Sequence, residues 1–193
     1  MKSIFKKTDL IIVVIFIIIG VLFRLIPHAP NFVPISALAI FAGAYLSKRI
    51  ALFVPFLMMI VSDFFLGFYN LKLMAVVYAS FLICVVVGFW LKNNKKWYTI
   101  LGSSFLTAFI FFFLTNLAVF VFSGWYPKTI LGLADCFIMA LPFFKNTLLG
   151  DIFYASVFFA SFELLKIWVA KKNINFNIEK KYNTYEKRSI KAI

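Results

Sequence analysis

Eight side chains in an otherwise apolar chain have the chemistry to hold a small polar molecule: Arg24, His28, Asn31, Asp63, Asn116, Lys145, Asn146 and Asp151. Arg24 and Lys145 suit a carboxylate or phosphate, because cationic N–H donors make short, strong hydrogen bonds to anionic oxygen. Asp63 and Asp151 suit an amine, or serve to keep those cations oriented. The densest group lies in R-L-I-P-H-A-P-N-F-V-P, from Arg24 to Pro34. Three prolines, the single histidine, an arginine and an asparagine stand there between two apolar stretches. A charged, proline-stiffened segment beside a membrane is costly to keep unless it binds, shapes or gates something.

Each of these residues also has a plainer structural reading. Asp63 can be a partner of Arg24 that only locks two helices, and Arg24 can meet either Asp63 or Asp151. His28 can be an interfacial loop residue, since it has no Asp, Glu or Cys at metal-ligand spacing. Pro27, Pro30 and Pro34 can simply end helices. Asn116 can bond across to a neighbouring helix. The run F-I-F-F-F from Phe109 reads as lipid-facing or core-filling, and Trp125 and Tyr126 as an interfacial belt. Catalytic signatures are missing from the sequence: it holds no Ser/His/Asp order, no H-E-x-x-H, no Gly-rich phosphate loop and no aspartyl-protease motif around Asp63 or Asp151. No enzymatic activity, metal or cofactor is expected.

These residues must be positioned by membrane helices. Of the 193 residues 64% are hydrophobic, whereas a soluble domain is about 45–50% apolar. The net charge of +13 flanks the apolar runs, which fits orientation and contact with anionic lipid rather than nucleic acid. Cys84 and Cys136 lie inside apolar stretches and read as buried thiols.

The apolar runs predict an all-α polytopic membrane protein of about six transmembrane helices. The spans are about 10–25, entered through Thr8-Asp9 as a cap, then 35–46, 50–69, 73–91, 98–122 and 147–170. The run from Leu10 has no small-residue cleavage site after it and reads as a retained span rather than a signal peptide. Span two is rich in small residues, Ala37, Ala39, Ala42, Gly43 and Ala44, and should pack inside the bundle. Residues 130–144 are short and contain Asp135 and Pro142, which predicts a re-entrant or interfacial segment on the outer side. Residues 1–170 form a single transmembrane domain, and 171–193 a basic cytoplasmic tail, disordered or lying on the membrane surface.

With the N-terminus inside, sixteen of the twenty Lys and Arg residues fall on the cytoplasmic side, leaving Arg24, Lys72, Lys128 and Lys145 outside. That bias puts both termini in the cytoplasm of a bacterial inner membrane. Four chain segments then bring polar groups to the outer half of the membrane, which describes a pocket open to the outside.

Several stretches carry a resemblance. They are R-L-I-P-H-A-P-N-F-V-P-I-S-A-L-A-I-F-A-G-A from Arg24, V-P-F-L-M-M-I-V-S-D-F-F-L-G-F from Val54, F-F-F-L-T-N from Phe111, Y-P-K-T-I-L-G-L from Tyr126 and L-P-F-F-K-N-T-L-L-G-D from Leu141. Over about residues 20 to 165 the chain resembles a family of uncharacterised bacterial inner-membrane proteins with an R-x-x-P-H-x-x-N-F signature. More distantly it resembles the substrate-capture (S) components of energy-coupling-factor vitamin transporters. That likeness implies uptake of a vitamin or similar micronutrient, powered by a separate ATPase module. The Ala-x-x-x-Ala contact motif of those proteins' first helix is absent here, and Ala-rich span two is the stretch that can replace it. The expected function is a membrane-embedded small-molecule binding and uptake component, whose partners are its ligand, lipids and that ATPase module. The alternative is a scaffolding protein of the cell envelope with an ion-pair lock.

Overall fold

The computed structural model describes residues 2–190, which fold into six helices joined by short connections. These are α1 (Lys2–Leu25), α2 (Ile35–Tyr45), α3 (Lys48–Leu66), α4 (Leu71–Leu91), α5 (Trp97–Phe122) and α6 (Ile130–Ile190). No strand is present among the described residues. In lipid every backbone N–H and C=O must be satisfied internally, and a helix does this within one segment. Among the described residues, four stretches are long and apolar enough to cross a membrane: Lys48–Leu66, Leu71–Leu91, Trp97–Phe122 and Ile130–Trp168. The protein is therefore an all-α polytopic membrane protein.

The chain divides into two compact units, Met1–Phe158 and Phe159–Ile193. The first contains α1 to α5 and the beginning of α6. The second is the remainder of α6, with an i,i+3 ion pair between Lys166 and Glu163 (2.8 Å) and exposed Leu164, Leu165, Ile167 and Trp168.

Two local expectations are corrected. Thr8 and Asp9 lie inside α1, which already begins at Lys2, and so do not cap it. Residues 130–144 are not a separate re-entrant piece, because α6 runs unbroken through Pro142. A proline forfeits its own N–H bond and crowds the carbonyl one turn back, but in a membrane the remaining backbone gains more from staying helical. Within the first unit α6 runs from Ile130 to Phe158, about 43 Å, which already exceeds the hydrocarbon thickness. Asp135, exposed near its start, therefore needs no buried partner. The tail, too, is helical as far as Ile190.

The centre of the first unit is α2. Every residue from Ile35 to Ala44 is buried, as its small side chains predict. At 11 residues it is about 16 Å long and reaches only half-way through a bilayer. It packs against α3 and most closely against α4, where Gly43 faces Gly88. A Cβ on either glycine would lie 2.9 Å from the other's Cα and collide with a backbone carbonyl, that of Val85 or of Ile40. The end of α3 is set by Gly67, whose φ of 94° is reached cheaply only without a side chain. Asn70 then starts α4 by accepting from the N–H groups of Lys72 (2.9 Å) and Leu73 (3.3 Å).

Gly43→Leu or Gly88→Leu should force α2 and α4 apart and cost about 1–3 kcal/mol, the usual penalty of overpacking. Thermal melts of the purified protein check this. Gly102→Ala, at a helical position with open space around it, should not lower the melt and should stabilise the protein slightly, by up to about 1 kcal/mol.

Candidate functional site

Arg24 stands in the last turn of α1, where a cation complements the helix dipole. Its Nη1 lies 2.7 Å from Asp63 Oδ1, donates to the Ser62 hydroxyl and touches Met59 Sδ at 3.3 Å. Asp63, one turn before the end of α3, is 1% exposed against 18% for Arg24. Its other oxygen accepts the Tyr78 hydroxyl of α4 at 2.6 Å. Ser62 passes its own proton back to the Met58 carbonyl at 2.6 Å. One carboxylate thus ties three helices together, and the partner of Arg24 is Asp63 rather than Asp151. Among the described residues all three Arg24 contacts use Nη1. Nε and Nη2, the edge that forks onto a carboxylate or phosphate, remain without a partner.

Arg24 also lines a cavity of about 360 Å³. The connection between α1 and α2 contributes Asn31 and Val33, and that between α3 and α4 contributes Tyr69. From α5 come Phe111, Phe112, Thr115 and Asn116, and from α6 Phe144 and Thr147. The walls are fixed by ring contacts, Phe81 with Phe111 at 5.0 Å and Phe112 with Phe144 at 4.8 Å between centroids. The hydroxyls of Thr115 and Thr147 donate to carbonyls one turn back in their own helices, at 2.7 and 2.9 Å. The Asn116 amide does the same to Phe112 at 2.7 Å. Their oxygens are left as acceptors. Tyr69 lies outside the membrane-crossing stretches. Burial pushes its phenol up to about 12, the charge of Asp63 adding and that of Arg24 opposing, so it stays a neutral donor at physiological pH. The chamber therefore offers one cation, several acceptor oxygens, a phenol and aromatic walls.

The sequence-predicted residues divide by position. Arg24, Asn31 and Asn116 meet at the cavity, and Asp63 stands behind Arg24. Asn31 holds a left-handed φ of 63°, a conformation asparagine tolerates better than most residues. His28 is exposed and its Nδ1 sits 2.7 Å from the Ile26 carbonyl, away from the cavity. Lys145 is exposed on α6 and does not line it. Asn146 instead donates to the Pro30 carbonyl at 3.0 Å, tying the 26–34 connection to α6. Phe32 reinforces that tie by packing on Phe153 and Tyr154. Asp151 is buried apart from the cavity.

Sequence reading missed Tyr69 and Tyr78. It read the F-I-F-F-F run as lipid-facing or core-filling, which fits the exposed Phe109 and Phe113 but not Phe111 and Phe112, which form cavity wall. The helical period was the available signal, since Phe109 and Phe113, four residues apart, share one face of α5 and leave Phe111 and Phe112 to turn elsewhere. Cys84 and Cys136 are free and buried, as expected, and among the described residues no His, Cys, Asp and Glu cluster forms a metal site.

Fold and site together define a polytopic helical membrane protein with a polar, aromatic-walled chamber at one end of its bundle. More particularly, the chain belongs to a family of unknown function (DUF6580), whose model matches residues 5–173. Comparison with curated proteins and with solved structures finds no match.

Removing one member of a buried ion pair costs about 3–5 kcal/mol. Arg24→Gln and Asp63→Asn should therefore each destabilise the protein. The double variant should lose less than the two together, with a coupling of about 0.5–3 kcal/mol between contacting residues. Melts of the four proteins in one detergent measure this coupling. Additive losses would mean the two charges act separately.

Proposed function

We propose that this protein is a membrane-embedded component that binds a small molecule for uptake, set in the bacterial inner membrane with both termini cytoplasmic and its chamber facing outward. The observation that carries the reading is the half-used guanidinium. Arg24 is held on Asp63 through one nitrogen while the rest of its fork is unengaged in a cavity of about 360 Å³. Small-molecule pockets fall at about 300–1,000 Å³ and pair apolar walls with a few placed polar groups. The chemistry suits a ligand with a carboxylate or phosphate for Arg24, a flat ring for the phenylalanines, and N–H or O–H groups for Thr115, Asn116 and Thr147. Vitamins and related micronutrients have that make-up. The orientation rests on the sixteen-to-four distribution of basic residues. The 24–34 segment is the gate. The distant likeness to S components supplies the energy source, a separate ATPase module.

A second reading, a scaffolding protein of the envelope, is favoured by the same ion pair, since Asp63 joins α1, α3 and α4 whether or not anything binds.

Native mass spectrometry of gently extracted protein separates the two. Uptake predicts a co-purifying molecule of a few hundred daltons in the wild type, lost in Arg24→Ala and Asp63→Asn while both variants still insert. A wild type carrying only lipid, or variants that retain the molecule, would overturn the assignment. Orientation is tested by modifying Lys128 from outside intact cells, where labelling is expected; labelling of Lys95 instead would invert the topology.

A further inference from the structure

A second polar position lies beneath the chamber. Asp151 follows the cavity-lining Thr147 by one turn on the same face of α6. It is 1% exposed, and neither of its carboxyl oxygens has a hydrogen-bond partner. From the first turn of α2, the Ser36 hydroxyl stands beside the carboxyl, short of hydrogen-bond geometry. On α4 the Cys84 thiol lies within electrostatic range and donates to the Ser80 carbonyl at 3.3 Å. The start of α2 adds the partial positive charge of a helix N-terminus, capped by Pro34 with no side-chain hydrogen bond. The ion pairs among the described residues are Arg24–Asp63 and Lys166–Glu163, so no Lys, Arg or His is joined to Asp151.

An unpaired carboxylate in a membrane interior is neutralised or is not tolerated there. Among the described residues no side chain supplies the opposite charge, and the N-terminus of α2 offers only a partial one. We propose that Asp151 is a monovalent-cation site, occupied by a proton or a sodium ion, with Ser36 as the hydroxyl that completes it. For a proton, the Ser36 oxygen accepts from the carboxylic acid. For sodium, it is a second oxygen ligand. Thr147 reaches the chamber one turn away, so the site is placed to link cation occupancy to the chamber, whatever the chamber binds.

The test is infrared spectroscopy of the reconstituted full-length protein at neutral pH, wild type minus Asp151→Asn, in potassium and in sodium buffers. A carbonyl band of a protonated carboxylic acid, present in both salts and lost in the variant, identifies the proton. A carboxylate pair that shifts between potassium and sodium and disappears in the variant identifies sodium. A carboxylate at Asp151 indifferent to both salts and to mild acidification would overturn the proposal, leaving α2's N-terminus to hold the charge alone. If Asp151→Asn fails to accumulate, wild type labelled with carbon-13 at the aspartate carboxyls decides. The chain has four aspartates; Asp63 is salt-bridged, Asp135 is exposed, and an Asp9→Asn background removes the fourth from the spectrum. A labelled acid band, or a sodium-dependent carboxylate shift, supports the site, and neither overturns it. No step depends on a chamber ligand, so this result and the uptake reading can fail separately.

Discussion

A carboxylate cannot be left alone in a hydrocarbon interior, and the arrangement around Asp63 follows from that constraint. Its desolvation is offset by a guanidinium on one oxygen and a phenol on the other. That pair of contacts fixes the last turn of α1 against α3 and draws in α4. A buried ion pair is often no more stable than an apolar replacement. Its presence beside a chamber makes most sense as a way to hold one cation at a set position with part of its donor fork unused. Asp63 thereby turns Arg24 from a flexible side chain into one held at a set position.

The chamber exists because of what surrounds it. A half-length helix, α2, buried from Ile35 to Ala44, fills the middle of the bundle, and at its crossing with α4 neither Gly43 nor Gly88 has room for a Cβ. With α2 too short to reach the far end of the bundle, the chain between Leu25 and Ile35 closes that region with loop rather than helix. Phe32 and Asn146 pin the loop to α6. Non-helical backbone at membrane depth is tolerated where it is covered by protein or lines a polar cavity, and this loop does both through Asn31 and Phe32.

The helices were legible in the sequence because lipid imposes a plain rule: α2 to α5 begin and end within a few residues of the apolar runs, and α1 ends with its run but starts eight residues before it. The sixth was split in error, since Pro142 and Asp135 look like interruptions in a sequence but cost little in a helix that outruns the bilayer. Within the site, Arg24 and Asp63 were readable because charge in an apolar span demands a partner. The partner's identity was not, as both Asp63 and Asp151 met the chemical requirement. Lys145 was misplaced by azimuth alone: at about 100° per residue, Phe144 and Thr147 turn to the chamber and the lysine between them turns away. Tyr69, Tyr78 and the wall phenylalanines escaped notice because aromatic residues are plentiful on every face of this chain, and only a three-dimensional arrangement distinguishes wall from lipid surface.

The most direct measurement of the central claim is a high-resolution cryo-EM map of the protein extracted from its native membrane without added ligand. The account predicts Arg24 Nη1 on Asp63, as here, and compact non-lipid density against the guanidinium's other edge between Phe112 and Tyr69. A map in which the phenylalanines have closed over Arg24 and the chamber is gone would contradict it.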